Sequence, residues 1–252
     1  MKRRYRVGIS LLLLILTVAI SFIATEKAKY SFTEVYNDKP IYRVNTDEKS
    51  LALTFDINWA EKEELFNILE VLDKYNVKAT FFIMGGWVNY SEENRDKLIK
   101  IKEGGHEVGN HSYKHPMFSK ISEERMKEEL DKTNKIIEET IGEEVKLFRF
   151  PSGDYSKNAS EFISKQGMIS IQWDVDSVDW KQISAEEEYN RVMKKVSPGS
   201  ILLFHNNAKY TPGNLDRIIK ELQEEGYNFI TVGEMIHYDN YYIDEKGEQI
   251  KK

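Results

Sequence analysis

Five histidines occur in the chain, and two stand four residues apart in His111-Ser112-Tyr113-Lys114-His115. On a turn of helix that spacing puts both imidazoles on one face, where they can share a metal ion. A third, His205, closes the apolar run Ser200 to Phe204. Other residues able to move protons or hold charge follow similar runs. Asp56 comes after Leu51 to Phe55, Arg149 and Pro151 close the run from Lys146, and Asp174, Asp176 and Asp179 come after Met168 to Trp173. Any one of these could be a helix cap or a surface charge. Several at the same end of successive strands argue for one site. His106 and His237 have no comparable neighbours and read as structural.

The elements that must position them alternate. Leu51–Phe55, Ala79–Ile83, Glu107–Asn110, Lys146–Phe150, Met168–Trp173, Ser200–Phe204 and Asn228–Thr231 read as strands. Between them the stretches 63–75, 92–103, 122–141, 157–166, 185–196 and 215–225 read as helices. Ser122 is a good N-cap, and Gly104-Gly105 stops the helix before it. About seven strands alternating with helices predict a parallel sheet covered by helices, either a barrel or an open doubly wound sheet. In a barrel all strand C-terminal ends face one way, so the residues named above converge.

The chain has 252 residues, 31% of them charged, and a net charge of −6. That length suits one large domain. The acidic balance argues against a nucleic-acid partner. Cysteine is absent, which excludes disulfides, thiol nucleophiles and Cys metal sites. Lys2, Arg3, Arg4 and Arg6 precede an apolar run from Val7 to Ala24. This reads as an uncleaved single-pass membrane anchor with the domain outside the cytoplasm, or as a cleaved signal peptide of a secreted protein. The expected organisation is a signal or anchor over 1–25, a linker over 26–50, a catalytic domain over 51–240 and a frayed polar tail over 241–252.

An ordered set of motifs resembles the polysaccharide deacetylase family, the NodB homology domain of carbohydrate esterase family 4, with similarity to its sporulation-associated branch. The segments are Thr54-Phe55-Asp56, Asn110 to Pro116, Arg149-Phe150-Pro151, Trp173 to Trp180 and Leu203-Phe204-His205. The resemblance covers residues 51 to about 236. It implies a distorted (β/α)7-type barrel of parallel strands, preceded by the N-terminal transmembrane or signal helix. It implies a monomer that removes N-acetyl groups from an envelope polysaccharide such as peptidoglycan. It implies Asp56 as general base, His205 as general acid, Arg149 orienting Asp56, Asp179 tuning His205, a backbone amide near Ser152 polarising the acyl oxygen, and His111 and His115 binding zinc or another divalent transition metal. That chemistry is coherent, because an amide needs a Lewis acid, an activated water and a proton donor for its leaving group.

The sequence departs from the family pattern at one metal position. A second Asp, the third ligand, usually follows the base, and here the residue is Ile57, followed by Asn58 and Trp59. Ile cannot ligate, so metal affinity is expected to fall unless Asn58, Asp174 or Asp176 reaches in. Pro151 is followed by Ser152 where an aromatic is usual. Trp59 and Trp180 follow motif residues and either could stack on a sugar. A rival reading is a catalytically weak or inactive barrel that binds envelope glycan. A metal-dependent amidohydrolase of another barrel family would want more histidines or a carboxylated Lys after strands.

Overall fold

The computed structural model describes residues 38–252. The basic flank, the apolar run from Val7 to Ala24 and the first part of the expected linker lie outside the described residues. Among the described residues no helix is long and apolar enough to cross a membrane.

The main sheet is parallel throughout. Its strands are β2 (Ser50–Ile57), β3 (Thr80–Ile83), β4 (Glu107–Asn110), β5 (Leu147–Phe148), β6 (Ile169–Ser170), β7 (Val175–Asp176) and β8 (Ile201–His205), in the spatial order β6-β5-β4-β3-β2-β8-β7. A further strand, β9 (Asn228–Phe229), pairs with the start of β2. Helices α1 (Leu65–Lys74), α2 (Gly85–Val88), α3 (Glu92–Glu103), α4 (Glu123–Ile141), α5 (Lys157–Lys165), α6 (Ala185–Met193), α7 (Thr211–Glu224) and α8 (Val232–Met235) alternate with the strands. This is the curled α/β half-barrel expected of parallel strands with helical crossovers. Between β6 and β7 the sheet is not laddered. Instead Ile41 donates its backbone N–H to Ser170 at 2.9 Å and Val44 donates to Gly199 at 2.9 Å, so the segment entering the domain spans that opening.

β2 shows how the strand period sorts the side chains. Leu51, Leu53, Phe55 and Ile57 enter the large core shared with Leu65, Ile68, Leu72, Leu215 and Ile219 of the helices. Ala52 joins a second cluster with Phe82, Leu147, Ile171 and Ile201 in the interior of the half-barrel. Thr54 and Asp56 alternate with the helix-facing set, so they belong to the interior face. Four serines, Ser91, Ser122, Ser156 and Ser184, each accept the backbone N–H three residues on and so start α3, α4, α5 and α6. Gly142, at φ 72°, ends α4 in the left-handed conformation that glycine adopts without a Cβ penalty.

The two ends of the domain differ from the sequence expectation. Within the expected linker, Ile41 and Val44 are buried, and β1 (Arg43–Val44) pairs with the chain's last strand. The expected frayed tail instead forms β10 (Tyr241–Ile243) and β11 (Glu248–Lys251), and the order β1-β11-β10 makes a small second sheet. A long-range contact makes the difference. Gln249 is fully buried, and its amide bonds the backbone of His237 in both directions, at 2.9 Å and 2.7 Å. A polar composition does not reveal such a partner.

Candidate active site

Parallel register puts Asp56 and His205 side by side. Asp56 of β2 is the Cα partner of His205 at the end of β8. Both line a cavity of about 440 Å³, together with His115, Ser152, Trp173, Asp176 and Trp180. All of these come from the C-terminal ends of strands or the loops after them.

Asp56 is buried and meets two opposing influences. Burial pushes its carboxyl up, while the neighbouring His111, Arg149 and His205 pull it down, and the net effect holds it below the ordinary carboxylate range. Burial likewise pushes His111 down to about 4, so at neutral pH that ring is uncharged and the standing positive charge is Arg149. The Arg149 guanidinium donates to Asp56 Oδ1 at 2.9 Å and to Thr54 Oγ1 at 2.8 Å. It also donates to the carbonyls of Gln172 at 3.0 Å and Ile171 at 3.4 Å. Its plane lies over the Phe82 ring at 4.0 Å. The side chain has no exposed surface, so its orientation is fixed before any ligand arrives.

His205 has the opposite bias. Burial pushes it down, but the Asp179 carboxylate outweighs that and holds its pKa above the ordinary imidazole value. Asp179 Oδ1 is 2.7 Å from His205 Nδ1, and its Oδ2 accepts the backbone N–H of the same residue at 2.7 Å. The Thr211 hydroxyl lies 3.1 Å from Asp179 and 3.0 Å from Glu188, whose carboxyl burial pushes up to about 7. Ahead of Asp179 the backbone turns through Val178 at φ 55°. A β-branched residue is rarely found there, and the conformation persists because its surroundings fix it.

The structure brings His111 and His115 together, but not on a helix. The segment is a loop in which Ser112 (φ 66°) and His115 (φ 58°) take left-handed conformations. Asn110 Oδ1 accepts the Ser112 N–H at 2.7 Å, and Ser112 Oγ accepts the His115 N–H at 3.0 Å. Glu129 of α4 accepts the N–H groups of Tyr113 and Lys114 at 2.8 Å and 2.6 Å. The ring centres end up 4.9 Å apart. His111 Nδ1 faces the Arg149 carbonyl at 3.0 Å, which leaves Nε2 turned toward Asp56 Oδ2 at 3.5 Å. That nitrogen is buried without a hydrogen-bond partner. It is a free donor atom for a cation, and the neutral ring suits ligation.

The rest of a metal set is missing. Ile57 is fully buried in the helix-facing core, on the side of β2 away from Asp56. Asp174 does not reach the site, because Ser200 Oγ and the Ile201 N–H occupy its two oxygens at 2.8 Å each. Asp176 lines the cavity but accepts the Val178 N–H at 2.8 Å. Among the described residues no group of three or more His, Cys, Asp or Glu is arranged to hold an ion. The donors present therefore do not fit a three-ligand metal site.

Sequence reasoning missed Glu129 and Asn206. Glu129 is 1% exposed and sits among the buried positions Met126, Leu130 and Thr133 of α4. A carboxylate at the apolar phase of a strong helix was the signal that could have found it. Asn206 clamps the loop after β2 by accepting the Asn58 N–H and donating to the Asn58 carbonyl, each at 3.1 Å. No periodicity marks that residue.

Comparison with known proteins identifies the family. The family profile described as polysaccharide deacetylase matches residues 43–171. The uncharacterized protein YlxY of Bacillus subtilis is 37% identical over 203 residues, covering 81% of this chain and 62% of that protein. The peptidoglycan-N-acetylglucosamine deacetylase of Bacillus cereus is 34% identical over 226 residues, covering 85% of this chain and 74% of that enzyme. Among solved structures, BA3943 of Bacillus anthracis, described as a family 4 carbohydrate esterase pseudoenzyme, superposes with a TM-score of 0.74 at 37% identity, over 79% of this chain and 69% of that one. A mutant of it is described as having restored enzymatic activity. The family-profile match, the shared fold and relatives named both as deacetylases and as a pseudoenzyme place this chain in the polysaccharide deacetylase family.

Proposed function

We propose that this domain hydrolyses N-acetyl amides on an envelope glycan of the peptidoglycan type, by general acid/base catalysis. One observation supports the reading most. The cavity holds a carboxylate kept ionised beside Arg149 and an imidazole whose pKa the Asp179 carboxylate raises, on adjacent strands. In this mechanism a water molecule attacks the amide carbonyl while Asp56 takes its proton. His205 then protonates the departing amine, which is a poor leaving group without it. Trp173 and Trp180 wall the cavity and offer indole faces to a pyranose ring. Backbone N–H groups beside Ser152, at φ 56°, face the acyl oxygen in this reading.

A second reading has its own observation. Polysaccharide deacetylases are generally metal-dependent, and here the third ligand position is the core residue Ile57. On that ground the domain is a catalytically weak or inactive glycan binder. Two measurements separate the readings. One is acetate release from chitooligosaccharides and peptidoglycan, with and without zinc, cobalt or manganese. The other is calorimetric binding of the same sugars. Release supports hydrolysis, binding without release supports the second reading, and neither release nor binding rejects both.

A further inference from the structure

A second cleft, of about 380 Å³, lies beside the loop that follows β2. Trp59 and Tyr90 stand at its edge, 48% and 74% exposed, with ring centres 5.0 Å apart in an edge-to-face contact at 86°. Phe66 is also on its lining and 51% exposed. The floor is polar and rigid. The buried Trp87 indole donates to Glu63 Oε1 at 2.7 Å, and the Lys97 ammonium pairs with Glu63 at 3.1 Å and Glu93 at 2.9 Å.

Exposed aromatics grouped around a concave site are a recognition feature, because their apolar faces remain in water until a ligand covers them. The edge-to-face contact fixes the Trp59 indole against Tyr90. A pyranose matches both halves of such a cleft. Its C–H face stacks on an indole, and its hydroxyl rim hydrogen-bonds to charged groups. The cleft and the candidate active site are lined by consecutive residues of one loop. Asn58 lines the catalytic cavity, and the next residue, Trp59, lines the cleft. Trp180, 57% exposed, stands on the lining of the catalytic cavity itself. A glycan strand with one unit in the cavity must continue past its rim.

We propose that the Trp59–Tyr90 cleft is an accessory subsite that binds a further sugar of the same glycan strand whose N-acetyl group occupies the Asp56–His205 cavity. This inference rests on the glycan reading above. Binding of N-acetylglucosamine oligomers from dimer to hexamer, measured by calorimetry on the parent, Trp59→Ala and Tyr90→Ala, tests it. Tyr90 is largely solvated, so its truncation leaves the fold intact even if Trp59→Ala disturbs its loop. The parent should bind the hexamer more tightly than the dimer. Each variant should lose about tenfold in hexamer affinity and leave the dimer unchanged, the size of one aromatic stacking contact. Unchanged hexamer affinity in Tyr90→Ala and Trp59→Ala overturns the subsite, as does an equal loss for dimer and hexamer. If the parent binds no oligomer of any length, the glycan reading itself fails, which is a distinct outcome.

Discussion

Ile57→Asp separates two properties of one position, its packing and its place in the metal set. The parent side chain is fully buried in the helix-facing core. Removing an Ile side chain from such a site forfeits about 1.5–3 kcal/mol of burial. Leaving an uncompensated carboxylate there adds several kcal/mol more. A total of about 4–6 kcal/mol lowers the melting temperature of a domain this size by roughly 10–20 °C. Zinc changes the result only if the end of β2 turns over and presents the new carboxylate to His111 and His115. At about a hundredfold excess over its dissociation constant, zinc would then return about 2.7 kcal/mol, which is roughly 5–10 °C. The assay is thermal melting of parent, Ile57→Asp and Ile57→Asn in chelator and in zinc, with calorimetric zinc titration of each. A chelated Ile57→Asp protein that melts within about 3 °C of the parent refutes the core placement, on the scale of a single kcal/mol. A zinc shift no larger than that of Ile57→Asn refutes the carboxylate as third ligand.

Asp179→Asn should lower the pKa of His205 from its raised value, because burial remains when the carboxylate is gone, and proton NMR titration of the ring reads this directly. The same linkage sets the pH dependence of the parent. Activity should fall at high pH as His205 loses its proton, above 6.5, and at low pH as His111 gains one near 4 and Asp56 follows. Stability has matching signs: the His205 contribution is lost as pH rises through its raised pKa, the Asp56 contribution is lost as pH falls through its lowered one, and buried neutral His111 adds a penalty as pH falls below 6.5, which acid and alkaline melting curves check. Arg149→Met should cost about 3–5 kcal/mol by urea unfolding, since it leaves Asp56 buried without its cation, and a loss below about 1 kcal/mol would contradict the fixed geometry. Protease added to protoplasts should degrade the domain if residues 7–24 anchor it outside the cytoplasm, and protection equal to that of a cytoplasmic control rejects the anchor.

Much of the site was legible in the sequence because parallel strands convert position into place. Asp56, Arg149, Asp179 and His205 each follow an apolar run, and the register then sets Asp56 opposite His205. The helix Glu123–Ile141 was legible from its Ser122 cap, and α3 and α4 begin and end within a residue of expectation. Three things were not legible. The His111–His115 loop depends on backbone conformations at φ 66° and 58° and on Glu129, none of which helical spacing encodes. The side of β2 that Ile57 occupies depends on whether the strand period continues to its last residue, and it does. The second sheet joins residues about two hundred positions apart, so neither partner alone signals a strand.

Arg149 ties β2 to the segment after β6 through Thr54, Asp56, Ile171 and Gln172. Asp179 ties the loop after β7 to β8 and to α7 in the same way. Losing these residues therefore costs stability whether or not the domain turns over substrate. A lineage that gave up catalysis would drift first at positions outside these fasteners, and a metal ligand at the end of β2 is such a position. Its descendants would still display the arginine, the aspartates and the histidine of a working hydrolase. Preserved catalytic letters in this fold therefore report on folding as well as on activity, and the more informative residues are those whose loss leaves the barrel standing.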